Sequence, residues 1–150
     1  MAVRNIVTLG DQTLRKKCFE VTDFGEKTKQ LLNDMKDTLI LSQGVGLAAP
    51  QVGVLRRIFL VKYEDKYYEC INPVLYDMKG SQIDNEGCLS VPGKYGEVER
   101  PMKLKVKFFD RNGVEQKLTL QGYIARIFCH ENDHLDGILY IDKARNLEID

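Results

Sequence analysis

The sequence predicts an α+β fold: antiparallel β-sheets around a central, metal-binding helix, with an additional helix near the N-terminus. Three observations carry this. Between residues 23 and 42, Leu31, Leu32, Met35 and Leu39 recur at spacings of three and four, the mark of a one-sided helix. From 57 to 120 the chain shows short apolar or alternating runs divided by turn residues, the pattern of strands. Helical periodicity then returns around two histidines placed four residues apart.

Taken in order, the first twenty residues read as irregular or partly extended. Thr22 or Asp23 can cap the first helix, and Gly44, Gly46 and Pro50 prevent it from continuing. Ile58, Phe59, Leu60 and Val61 lie in a strand over 57–63. A polar Glu64-Asp65-Lys66 turn leads to a second strand over 67–74, so the two form a hairpin. Residues 104–109 alternate with lysines, as in a half-exposed strand. Asn112-Gly113 then predicts a hairpin, because both residues tolerate positive φ. Residues 114–120 supply the return strand. Beyond Gly122, Ile124, Ile127, Phe128 and Leu135 mark the second helix.

One hundred and fifty residues are expected to form one domain, 1–150. Apolar residues make up 43% and charged residues 29%, an ordinary globular mixture. Lys+Arg and Asp+Glu balance at 22 each, which argues against a polyanion-binding role for the whole chain but leaves room for a local basic patch. No apolar run approaches the ~18 residues needed to span a bilayer. The N-terminus lacks a secretory signal, so a cytoplasmic protein without a membrane partner is expected. Cys18, Cys70, Cys88 and Cys129 are then expected as reduced thiols. Any one of them near the histidines is a potential metal ligand, and the others serve as small buried apolar groups.

The chemistry centres on His130-Glu131-Asn132-Asp133-His134. Helical positions i and i+4 share a face, so both imidazoles can reach one ion, and Glu131 beside them can move protons at a metal-activated water. These are the chain's 2 histidines, and they fall at ligand spacing around a glutamate. Catalytic sites of this kind use three protein ligands. Downstream carboxylates (Asp142, Glu148, Asp150) and Cys88, in Glu86-Gly87-Cys88-Leu89-Ser90, are the candidates for the third. Cys129 adjoins His130 but should point about 100° away from it. A further segment, Gly44-Val45-Gly46-Leu47-Ala48-Ala49-Pro50-Gln51, lacks the Lys-Ser/Thr of a phosphate loop. On composition alone it is a helix-ending turn. Its functional alternative is a backbone strip for a ligand, with Gln51 donating to a developing oxyanion.

These three segments, in this order and at this spacing, resemble the signature motifs of the peptide deformylase family over about residues 5–142. The resemblance implies Cys88 as third metal ligand with His130 and His134. It implies Glu131 as catalytic proton carrier, and Gln51 with the Leu89 backbone N–H as oxyanion donors. Val45, Gly46 and Gly87 are implied as substrate-binding positions, where an extended peptide adds as a strand. Val45, Tyr123 and Ile127 are candidates for an apolar methionine pocket, and Glu86–Arg100 for a supporting pair. The implied reaction is hydrolysis of the N-formyl group from N-formylmethionyl nascent peptides, releasing formate. The implied cofactor is one divalent ion, Fe(II), with Zn(II), Ni(II) or Co(II) able to substitute. Ribosome association is a family-level expectation, with no sequence-specific nucleic-acid binding. Two departures stand out: Cys129 replaces a frequent glutamine, and the sixteen residues after His134 leave no room for the long C-terminal helix of some bacterial members. A metallopeptidase using a third ligand other than Cys88, and a non-catalytic metal-binding module, are the competing readings.

Overall fold

The computed structural model describes residues 2–149. Its helices are α1 (Glu26–Ser42) and α2 (Tyr123–Leu135). The strands are β1 (Gly46–Ala48), β2 (Ile58–Tyr63), β3 (Lys66–Lys79), β4 (Gln82–Cys88), β5 (Val91–Arg100), β6 (Lys103–Phe109), β7 (Glu115–Gln121) and β8 (Arg145–Ile149). Short 3-10 turns occupy Gln12–Arg15, Ala49–Val52 and Tyr140–Asp142. One antiparallel sheet runs β1-β2-β3-β6-β7 and a smaller one β4-β5-β8.

Two kinds of strand follow from what covers them. In β2, Phe59 and Val61 pack toward α2, while Ile58 and Leu60 pack toward α1. Both faces are dry, so this strand is a continuous apolar run. In β6, Leu104, Val106 and Phe108 point toward α2, whereas Lys103 and Lys105 on the opposite face are exposed. Only one face is dry, and the sequence alternates. Phe59 and Tyr68 meet the ring of Phe128 edge-on, at 5.4 and 5.8 Å, which anchors α2 to the sheet. A third cluster, Leu14, Val91, Val98, Leu139 and Tyr140, joins the small sheet to the chain ends.

Several expectations need correction. Neither Thr22 nor Asp23 is the helix cap: Gly25 is, without a side-chain bond, while Asp23 accepts from the Gly25 N–H at 2.8 Å and turns the chain into α1. The Glu64-Asp65 turn has positive φ at both residues, as a tight hairpin requires. At Asn112-Gly113 only Gly113 has positive φ, because Asp110 organises the turn by accepting from the N–H groups of Asn112 and Val114. β3 extends well past residue 74. β1, β4, β5 and β8 escaped the sequence reading, since they are too short, too polar or too glycine-rich to show a clean period. At the end of α2, Gly137 (φ +74°) turns the chain so closely beneath the 3-10 turn that an added Cβ would lie 2.6 Å from the Arg15 carbonyl.

Candidate metal centre and active site

Helix α2 is nearly all buried, so its polar residues must satisfy one another or serve a site. His130 and His134 project together, with ring centroids 5.2 Å apart. The β4–β5 hairpin brings Cys88 to them: its Sγ lies 3.3 Å from His134 Nε2. One donor atom from each of the three lies within 4.8 Å of the others. Among the described residues this is the group whose donors converge. Asp142 is turned away into a bidentate pair with Arg15 at 2.6 and 3.1 Å. Glu148 is exposed on β8, and Asp150 lies outside the described residues. Cys129 packs into the apolar core, where burial pushes its thiol up to about 11.

The orientation of His130 is held from behind, whereas His134 Nδ1 has no hydrogen-bond partner among the described residues. His130 Nδ1 lies 2.8 Å from Glu86 Oε1, which leaves its Nε2 for the site. Glu86 also accepts two bonds from Arg100, each 2.9 Å, and one from Arg126 at 2.6 Å. Burial would raise the Glu86 carboxyl, but hydrogen bonds from Arg100 and His130 outweigh it and hold it well below the usual range. This is a buried network, not the surface ion pair that Glu86–Arg100 could have been. Arg100 also binds Asp133 at 2.7 Å, and the Tyr140 ring stacks on His130 at 5.9 Å. Arg126 and Tyr140 escaped the sequence reading, because an arginine on an apolar helix face and a lone tyrosine carry no motif.

Glu131 points into the same cleft. It is 4% exposed, its Oε1 has no hydrogen-bond partner among the described residues, and its Oε2 lies 4.0 Å from His130 Nε2. Burial pushes its carboxyl up to about 7. Gln51, in the 3-10 turn after β1, is anchored by the Ala48 N–H donating to its Oε1 at 2.9 Å. Its Nε2 donates to Ser90 Oγ at 3.1 Å and faces Cys88 Sγ at 3.6 Å. The cleft, about 440 Å³, is lined by Val45, Gly46, Gly87, Leu89, Tyr123 and Ile127 along with Cys88, His130 and Glu131. Val45 departs from expectation in one respect: its carbonyl already accepts from the Lys62 N–H at 2.8 Å. By the alternation of an antiparallel strand, Gly46 is the residue whose backbone turns away from β2 toward the cleft.

The donor set fits a divalent ion. It comprises one half-buried thiol and two buried imidazoles, their donor atoms convergent, with an unpartnered carboxylate oxygen beside them.

Fold and site together define a metal-dependent hydrolase built on a helix-borne His-Glu-x-x-His pattern. The polypeptide deformylase family profile matches residues 3–149. A peptide deformylase of Caldicellulosiruptor bescii is 52% identical over 144 residues, covering 96% of this chain and 87% of the relative. The crystal structure of peptide deformylase from Thermotoga maritima superposes with a TM-score of 0.95 at 38% identity, covering 97% of this chain and 99% of that one. A peptide deformylase from Synechococcus elongatus in complex with actinonin superposes at 0.91 with 36% identity, covering 95% of this chain and 79% of that one. The chain belongs to the polypeptide deformylase family, hydrolases that remove the N-formyl group from newly made proteins. Among the described residues, no helix is long and apolar enough to cross a membrane.

Proposed function

We propose that residues 1–150 act as one catalytic domain that takes the formyl group off N-formylmethionyl nascent peptides in the cytoplasm. In this reading Cys88, His130 and His134 hold Fe(II), for which Zn(II), Ni(II) or Co(II) can substitute. The observation that carries it is the convergence of these three donors beside the unpartnered Oε1 of Glu131, with the Gln51 amide at the thiol. When bound, a divalent ion acidifies water and polarises a carbonyl.

The chain's own residues supply the rest. Glu131 receives the proton of the attacking water and returns it to the amine that leaves; a carboxyl poised near neutrality suits both transfers. Negative charge develops on the formyl oxygen. The Gln51 amide and the backbone N–H of Leu89 are its donors. Because Ala48 already fixes the Gln51 carbonyl oxygen, the amide nitrogen turns toward that charge without a search over rotamers. β1 and β4 are each an edge of their sheet and both border the cleft, so an extended peptide pairs with backbone at Gly46 and Gly87. Val45, Tyr123 and Ile127 receive the methionine side chain.

Ribosome association fits an enzyme whose substrates are nascent chains. The test of function is formate release from formyl-Met-Ala-Ser under anaerobic conditions, with Met-Ala-Ser as control. Formate release from the formylated peptide, with no cleavage of the control, is the expected result. Cleavage of internal peptide bonds with Cys88→Ser retaining metal would assign a peptidase instead.

A further inference from the structure

The large sheet carries a concentrated basic face away from the catalytic cleft. The cluster around helix α1 covers its outer face over β1, β2, the start of β3 and Phe109 at the end of β6. Beyond that the face is open, and its exposed side chains are mostly lysines. Across the strands Lys79 stands opposite Lys103, Tyr76 opposite Lys105, and Val74 opposite Lys107. Lys107 in turn stands opposite Lys117, and Lys105 opposite Thr119. Cα partners share a face, so Lys79, Lys103, Lys105, Lys107 and Lys117 form one basic field on a protein of zero net charge.

Two ordinary explanations fail. Lysines protect exposed sheet edges from pairing, but β6, which carries three of the five, is paired on both sides. A solvated surface normally mixes both signs. Here Asp77 is the acid that reaches the row, 3.2 Å from Lys105 and 3.9 Å from Lys79, with Glu115 at the far end opposite Phe109. Among the described residues Lys103, Lys107 and Lys117 have no ion pair. Like charges placed directly opposite across a ladder, as at Lys107–Lys117 and Lys79–Lys103, destabilise the sheet. A bound polyanion relieves that repulsion.

Within the same field Tyr76 is 40% exposed, and Val74 and Met78 are about as open at 51% and 50%. A sheet face that alternates cationic side chains with an exposed ring can hold phosphates and stack an unpaired base. We propose that this face docks the phosphate backbone of RNA, with Tyr76 as the stacking ring. Lysines read charge and not base identity, so the contact is independent of sequence. None of the five lysines lines the catalytic cleft, so docking leaves the active site open.

The test is fluorescence anisotropy of a labelled RNA hairpin with the full chain. Neutralising about four phosphates predicts affinity that falls roughly 50- to 150-fold between about 50 and 200 mM salt. The Lys105→Glu/Lys107→Glu/Lys117→Glu variant should bind at least tenfold more weakly, with a shallower salt slope. Lys117→Glu alone sets opposite charges across its rung. It should melt no lower than the parent yet bind RNA several-fold more weakly, which separates docking from folding. Formate release from formyl-Met-Ala-Ser should be unchanged in both variants, so this proposal and the proposed reaction fail independently. The proposal is overturned if the parent does not bind the hairpin at low salt. It is also overturned if either variant binds it equally well, or if phosphatidylglycerol vesicles or polyglutamate bind as tightly as RNA.

Discussion

The carboxylate of Glu131 occupies the space that a side chain on residue 46 would need. A Cβ built on Gly46 would overlap Oε2 of Glu131, and the φ at Gly46 is one any residue can adopt. The glycine is there for close approach of β1 to α2. Gly46→Ala should therefore displace the proton carrier without touching a metal-site donor. Proton transfer by a positioned side chain is worth about 10²–10⁴ in rate. A fall of that size in kcat, at unchanged metal content, is the expected result; formate release with parallel metal analysis measures both.

Gln51→Ala should lower kcat by about 10²–10³, the loss of roughly 2.7–4 kcal/mol for one oxyanion donor. Steady-state kinetics on formyl-Met-Ala-Ser tests this. Wild-type turnover in the variant would remove Gln51 from the reaction and leave it a structural role, through its bonds to Ala48 and Ser90.

Arg100→Met should destabilise the fold by about 3–5 kcal/mol, because Glu86 would lose two of its bonds in a buried setting. Arg126 and His130 remain as its partners, so the carboxylate stays in place but holds the imidazole less firmly. Metal affinity should fall about 10- to 100-fold. Urea denaturation gives the first quantity and competition with a chelator the second.

Asp34 ties the N-terminal segment to α1, accepting from the Ala2 N–H, Arg4 and Gln30 at 2.9, 3.0 and 2.7 Å. Burial acts to raise its carboxyl, but these hydrogen bonds prevail and hold it below its ordinary value. A depressed folded-state value means stability that is present above about pH 3.9 and lost as pH falls through the folded-state value. Asp34→Asn should therefore cost about 1–3 kcal/mol at neutral pH. That difference from the parent should shrink below about pH 4, which denaturant melts at several pH values will show.

The site was legible in sequence to the extent that its residues cluster. His130, Glu131 and His134 lie within one helical turn and a half, and helix geometry alone puts the imidazoles together. The third ligand was open among Cys88 and three carboxylates until a family resemblance favoured the thiol. Geometry now places Cys88 beside His134 and turns Asp142 toward Arg15. Arg126 was invisible, since its partners Glu86, Gln82 and Val98 come from two strands that have no periodic signal of their own.

Local chemistry therefore determined both helices, the two main hairpins and the histidine pair, because each depends on residues within about a turn or a strand of one another. Tertiary structure decided the rest. It folded the glycine segment into an edge strand against Glu131 and buried the Glu86 network behind His130. It also left part of a sheet face uncovered, so that lysines scattered between positions 79 and 117 became one charged field. Those outcomes depend on which distant surfaces pack together, and burial and long-range contact leave no period in the chain for a sequence to display.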